Sequence, residues 1–405
     1  MLSRSLKILS AHTITLTASL VSFALIQHTL ADESHFDKII LTREFFSEGA
    51  NFGDFNRDGQ MDVVAGPFWY AGPDFKTRHE YQTAEAKDPK GYSANFLAYA
   101  YDMNGDEWED IIIIGFPGEE TWWFENPRGE VAQAGHWKRH LGLDITDNES
   151  PAFADVTGDG KPELLCHTRG RIGYAEPDWK NPTEPWKFHP VSGEGGWQRY
   201  THGFGFGDVD GDGKQDFLMR EGWWKQADGA ESAWPFHAAP FGEGGAQMFV
   251  YDIDGDGDND VLTSLQAHGY GIAWFEQKTD GDGNRVFEQH LLVGSTEEQN
   301  PHGVKFSQPH AIDVADVNGD GLLDFVTGKR YWAHGPTGDA EPDAPAVLYW
   351  FELIRTDQGA EFIPHLIDDD SGVGTQVIAK DINGDGLAEV VVGNKKGAFV
   401  FLQRK

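Results

Sequence analysis

Asp252, Asp254, Asp256 and Asp260 stand at positions 1, 3, 5 and 9 of a nine-residue stretch, with Gly255 and Gly257 between them. Carboxylates at that spacing, on a backbone that glycine lets turn sharply, make the oxygen-rich loop that hard divalent cations such as Ca2+ require. Six further stretches repeat the pattern. Their corresponding candidate metal ligands are Asp54, Asn56, Asp58 and Asp62; Asp102, Asn104, Asp106 and Asp110; Asp155, Thr157, Asp159 and Glu163. Then come Asp208, Asp210, Asp212 and Asp216; Asp316, Asn318, Asp320 and Asp324; and Asp381, Asn383, Asp385 and Glu389. An EF-hand would need a glutamate at position 12 and flanking helices. Here the last acid is at position 9 and β-branched runs follow it, as in Ile111–Ile114 and Val390–Val392. Such runs are poor helices and good buried strands.

The elements that must hold these loops follow from their spacing. Successive loops begin 48, 53, 53, 44, 64 and 65 residues apart, and a period near 50 with β-rich flanks predicts propeller blades. Each unit reads as strand A, acidic loop, apolar strand B, aromatic strand C such as Trp122–Phe124, and a strand D that ends in a histidine such as His140 or His189. Those outer histidines read as packing residues. The fold class expected is all-β: a seven-bladed β-propeller of four-stranded blades. The last unit has room after its loop for strands B and C only, and Phe36–Leu41 resembles the other D strands. The ring is therefore expected to close by the N-terminal strand joining the last blade.

Residues 1–31 read as a secretory signal peptide: Arg4 and Lys7 precede a mostly apolar Ile8–Ile26, and Thr29–Ala31 offers a small-residue cleavage site. A membrane anchor is the weaker reading of the same segment, and no membrane insertion is expected after cleavage. Residues 32–405 then form the propeller, in a secreted or periplasmic protein. Cys166 is the only cysteine, so an exported chain lacks an intramolecular disulfide, and bound Ca2+ at up to seven sites is the natural staple. The formal charge of −34 argues against nucleic acid or an anionic membrane surface as partner.

The repeated Asp-x-[Asp/Asn]-x-Asp-Gly-x-x-[Asp/Glu] before an apolar strand, with Phe204-Gly205 ahead of one copy, resembles the FG-GAP/VCBS repeat propellers, which include the integrin α-subunit head. The resemblance spans essentially all of residues 32–405. It implies that the loops join strands A and B on one face of the ring and commonly hold calcium. Activity is not implied, since that family includes adhesion modules, polysaccharide lyases and sugar-modifying lyases such as the aldos-2-ulose dehydratases.

If the loops mark one face, segments entering each A strand and leaving each B strand emerge on the other, around an axial funnel. Glu149, Tyr200, His202 and His310 stand before A strands; Arg169, His268, Lys329, Arg330, Tyr331 and Lys395 stand after B strands. Two long connections, Gly294–Ser307 and Ala333–Ala346, fall on that face and are expected to wall a cleft. Scarce cations and histidines gathered there suit a carbohydrate or an anionic small molecule. The expected chemistry is that of a lyase or dehydratase on uronic or oxidised sugars, which needs a base and a cation to stabilise an enolate. His202 or His310 is the candidate base, Lys329, Arg330 or Arg169 the charge stabiliser, Tyr200 or Tyr331 the acid. His268 completes the histidine set, and Zn2+ or Mn2+ held by the funnel histidines is a variant. The alternative is a module that binds glycans or another exported protein without chemistry. No nucleophile elbow, phosphate loop or dinucleotide fingerprint is present.

Overall fold

The acid at position 9 of each loop opens a strand buried along its whole length: Asp62–Ala65, Asp110–Ile114, Glu163–Thr168, Asp216–Met219, Asp260–Ser264, Asp324–Lys329 and Glu389–Asn394. Strands covered on both faces need continuous apolar sequence, which the β-branched runs supply. The computed structural model describes residues 35–130, 135–228, 233–357 and 359–404. The expected export signal at 1–31 lies outside the described residues. Among them there is no α-helix, only the short 3-10 turns Arg128–Glu130 and Glu297–Gln299. No helix among them is long and apolar enough to cross a membrane.

The architecture is all-β, in a propeller arrangement. Strands pair in sequence order within each unit, A to B to C to D, and every such pairing is antiparallel. The first sheet, for example, runs Ala50–Gly53, Asp62–Ala65, Phe68–Ala71 and Thr77–Glu80. The last is closed by the N-terminal strand. His35–Thr42 runs antiparallel to Gly397–Arg404, with Ile39 opposite Val400, and completes the sheet of Glu389–Asn394 and Val377–Lys380.

Blade number departs from expectation. The structure has five separate four-stranded blades rather than seven, and the remaining eight strands form one continuous sheet. The join is a short parallel pairing of two inner strands, Phe204–Gly207 and Gln247–Tyr251, through Phe204 with Gln247 and Gly205 with Met248. Glycine makes it possible: a Cβ at Gly205 would meet the Met248 carbonyl oxygen at 2.1 Å, and one at Gly207 would meet Val250 Cβ at 2.4 Å. Elsewhere side chains keep inner strands apart and bond across the gap instead. Ile312 N donates to Gln247 Oε1 at 3.0 Å, and Ala379 N donates to Asp313 Oδ2 at 2.8 Å.

The position-9 acids close the A-to-B turns through backbone hydrogen bonds. In all seven loops one carboxylate oxygen accepts the backbone N–H of position 2, at 2.9–3.1 Å. In five, the other oxygen accepts the N–H of a residue in or shortly past the C strand, as Gln277 N does to Asp260 Oδ1 at 2.8 Å. The outer strands carry a second repeated tie. His79, His140, His189, His237, His290 and His365 each lie flat on the C-strand ring opposite them, Trp69, Trp123, Tyr174, Trp223, Trp274 and Trp350. These D-strand histidines are packing residues, away from the axis.

Candidate functional site

The connections opposite the loops bring together residues that are far apart in the chain. Glu48 lies two residues before Ala50–Gly53, His202 two before Phe204–Gly207, His310 is the second residue of Pro309–Ala315, and Arg330 follows Asp324–Lys329. Arg330 is buried between two buried carboxylates, with Nη2 3.0 Å from Glu48 Oε2 and Nη1 3.4 Å from Glu149 Oε2. The same Nη1 donates to His310 Nε2 at 2.7 Å. His202 Nε2 lies 3.2 Å from both His310 Nε2 and His268 Nε2. Glu149 Oε2 completes the group, 3.4 Å from His202 Nε2 and 3.3 Å from His310 Nε2.

Burial sets the charge states. It pushes the His310 imidazole down to about 3, helped by Arg330, and His268 down to about 2, helped by its neighbouring imidazoles. Both are therefore neutral near neutral pH. Burial alone would raise Glu149, yet the His202 and His310 imidazoles beside it hold its carboxyl well below the usual range. Several polar atoms here are buried without a hydrogen-bond partner: Glu48 Oε1, Arg330 Nε and His310 Nδ1.

Over this cluster opens a cavity of about 290 Å3, lined by Tyr92, Phe116, Glu149, Tyr200, His202, His268, Arg330, Ala333 and His334. Its aromatic wall is continuous, with the Phe116 ring 4.9 Å from Tyr92 and 5.6 Å from Tyr200. The Arg199 guanidinium backs it, 5.7 Å from the Phe116 ring and 5.3 Å from Tyr200. The two long connections meet at its rim. Ser307 Oγ and Gln308 Nε2 donate to Ala340 O, and Lys305 pairs with Glu341 at 2.9 Å. Lys395 Nζ reaches from the last unit to the Trp332 carbonyl at 2.8 Å and lies 4.4 Å over the Tyr92 ring; burial lowers it to about 8. Tyr200, Gln308, Trp332 and Glu341 all take positive φ, a conformation that costs non-glycine residues about 1–3 kcal/mol and gathers at functional sites.

Of the residues singled out from the sequence, His202, His268, His310 and Arg330 converge here. Arg169 instead forks onto Asp144 at the surface. Lys329 is buried with Nζ 3.4 Å from the Arg330 carbonyl, its ammonium lowered to about 8 by burial. Tyr331 stacks on Trp332 and is covered by Lys396. Sequence reasoning passed over Glu48, His334 and Asp339. Asp339, its side chain 2% exposed, accepts from His334 Nδ1 at 2.8 Å and from His334 N at 2.7 Å, and its Oδ1 lies 3.4 Å from His268 Nδ1.

No curated protein matches the chain by sequence. Among solved structures, a lectin from Agrocybe aegerita, described as recognising non-reducing terminal N-acetylglucosamine, is 17% identical over 88% of this chain and 85% of its own, with a TM-score of 0.47. The rhamnogalacturonan lyase YesW is 13% identical over 90% of this chain and 75% of its own (TM-score 0.42). The biofilm matrix protein Bap1 of V. cholerae is 12% identical over 87% and 77% (TM-score 0.37). The family model of the FG-GAP-like repeat matches residues 102–166 and 252–327, each span holding loop-and-strand units of the kind described above. The chain thus carries FG-GAP-like repeats within an all-β propeller arrangement.

Proposed function

We propose that the cavity is a carbohydrate site and that the protein acts there as a lyase or dehydratase on uronic or otherwise oxidised sugars. The observation that supports this most is the His334–Asp339 pair on the cavity wall. Asp339 takes the Nδ1 hydrogen of a half-exposed imidazole and leaves Nε2 as its proton-accepting atom. His202 and His310 suit that task less well, being packed into a cluster in which their Nε2 atoms already face one another. At about 290 Å3 the cavity matches a single sugar ring, and Tyr92, Phe116 and Tyr200 offer faces on which it can stack.

In the proposed step His334 Nε2 takes the proton from the carbon next to a carboxylate or ketone. The electron pair passes into an enolate whose oxygen faces the Arg330 charge. Expulsion of the oxygen substituent on the next carbon forms the carbon–carbon double bond. That oxygen leaves as an alcohol or water, protonated by Tyr200 or by the His334 imidazolium. The test is incubation with uronic-acid oligosaccharides and ketoaldoses while following the ultraviolet absorbance of the unsaturated product. His334→Ala should abolish it, and activity unchanged in that variant would remove His334 from the mechanism.

The setting we propose is an exported protein, residues 1–31 being its signal and 32–405 one propeller. Each half of the eight-stranded sheet carries one acidic loop and four strands, which supports counting it as two blades and the ring as seven. Calcium in the loops is supported by their hard-oxygen donors, since one oxygen from each of Asp155, Asp159 and Glu163 lies within 4.8 Å of the others. In the loop at Asp208 a lysine already supplies positive charge, with Lys225 paired to both Asp210 and Asp212.

A further inference from the structure

Beneath the cavity the histidine cluster asks for something that hydrogen bonds do not provide. His202 Nε2 alone has three near neighbours, His268 Nε2, His310 Nε2 and Glu149 Oε2, and an imidazole nitrogen can donate one hydrogen at most. His310 Nε2 carries no hydrogen, since it faces the Arg330 guanidinium at 2.7 Å, and it also lies 3.2 Å from His202 Nε2 and 3.3 Å from Glu149 Oε2.

We propose that His202, His268, His310 and Glu149 are the ligands of one divalent transition-metal ion, with Zn2+ the ion of choice. The geometry fits. For metal–ligand bonds of 2.0–2.1 Å a tetrahedral site has ligand-to-ligand edges of about 3.3 Å. Four of the six edges run 3.2, 3.2, 3.4 and 3.3 Å, and the ligand nitrogens of His268 and His310 lie within 4.8 Å of each other. Three imidazoles and one carboxylate select a first-row ion such as Zn2+ over Ca2+, whose all-oxygen preference is met by the acidic loops. A carboxylate outside the ligand set stands close by: Asp339 Oδ1 lies 3.4 Å from His268 Nδ1, which makes no hydrogen bond of its own, and a small turn of the ring would join the two and direct Nε2 to the ion.

Charge points the same way. Glu48, Glu149 and Arg330 together carry one net negative charge, and a divalent ion leaves one net positive charge at the floor of the cavity. Glu149, His202 and His268 line that cavity, so an anionic oxygen of a bound molecule would meet the ion from the open side. In this role the ion deepens the lyase reading, as the electrophile for the enolate oxygen; its binding does not depend on that reading.

The test contains no sugar. Protein stripped with chelator and returned to excess Ca2+ is titrated with Co2+, following visible absorption, and with Zn2+, followed by elemental analysis. One equivalent per chain, with the absorption of nitrogen-ligated Co2+, is expected. Glu149→Gln and His268→Ala should weaken binding at least about 100-fold, and Asp339→Asn about 10-fold, the lower end of what outer partners command. Thermal melts confirm that the variants fold, and His268, at the cavity wall, is the substitution the core tolerates best. No Co2+ bound by the wild type, or equal binding by both ligand variants, would overturn the proposal. A sugar assay that fails while Co2+ binds would sink the lyase reading alone.

Discussion

His334 and Asp339 divide the labour of a proton transfer between an exposed ring and a buried carboxylate. If Asp339 fixes the tautomer, Asp339→Asn should lower kcat roughly 10^2- to 10^4-fold, the range of general-base contributions, while KM changes little. Steady-state kinetics on any turned-over sugar checks this; a change confined to KM would assign Asp339 to binding. The histidines His202, His268 and His310 were legible in the sequence because they stand at fixed offsets from strands that the acidic loops locate. Glu48 carried the same signal, two residues before its strand as His202 is before its own. His334 and Asp339 had none, since they lie in an insertion without a counterpart in other units. Lys329, Arg330 and Tyr331 show a different limit. Successive strand residues point to opposite faces, so Arg330 can face the cavity only if its neighbours do not, and the sequence did not say which parity faces in.

At the scale of the element, the acidic loop is two devices at once. Positions 1, 3 and 5 gather side-chain oxygens near the surface, whereas position 9 is a buried staple for backbone N–H groups. Asp260→Ala would strand the N–H groups of Ile253 and Gln277, and should destabilise by roughly 2–5 kcal/mol. Denaturant unfolding in chelator is the discriminating check, because a loss that disappears without calcium would make Asp260 a ligand and nothing more. A second buried acid gives a pH signature. Burial raises Asp313 to about 7, so the fold holds its proton more tightly than the unfolded chain does. Its contribution is fully present below about pH 4 and is lost as pH rises towards 7. Asp313→Asn should therefore flatten part of the stability decline across that window while leaving the ends of the melt two-state, as thermal melts at several pH values would show. The strand order and the ring-closing strand were legible from period and pattern. The fusion of two inner strands was not, because it rests on an approach of backbones that Gly205 and Gly207 permit but do not announce.

On the scale of the whole molecule, one ring separates two kinds of chemistry. Hard-oxygen loops occupy the A-to-B turns, and imidazoles, a guanidinium and aromatic rings occupy the opposite connections. With a formal charge of −34 and no disulfide to hold it, the chain should melt at a substantially lower temperature after calcium chelation, measured by scanning calorimetry. An unchanged melt would leave the buried position-9 acids as the sole staples. The division of faces also says where chemistry is to be sought, at the axial cavity. The most direct measurement is ultraviolet absorbance of unsaturated product from uronic-acid oligosaccharides and ketoaldoses, with wild type and His334→Ala side by side. A rise with the wild type and none with an equally stable variant is the expected result. An equal rise in both, or none with any such sugar, would contradict it.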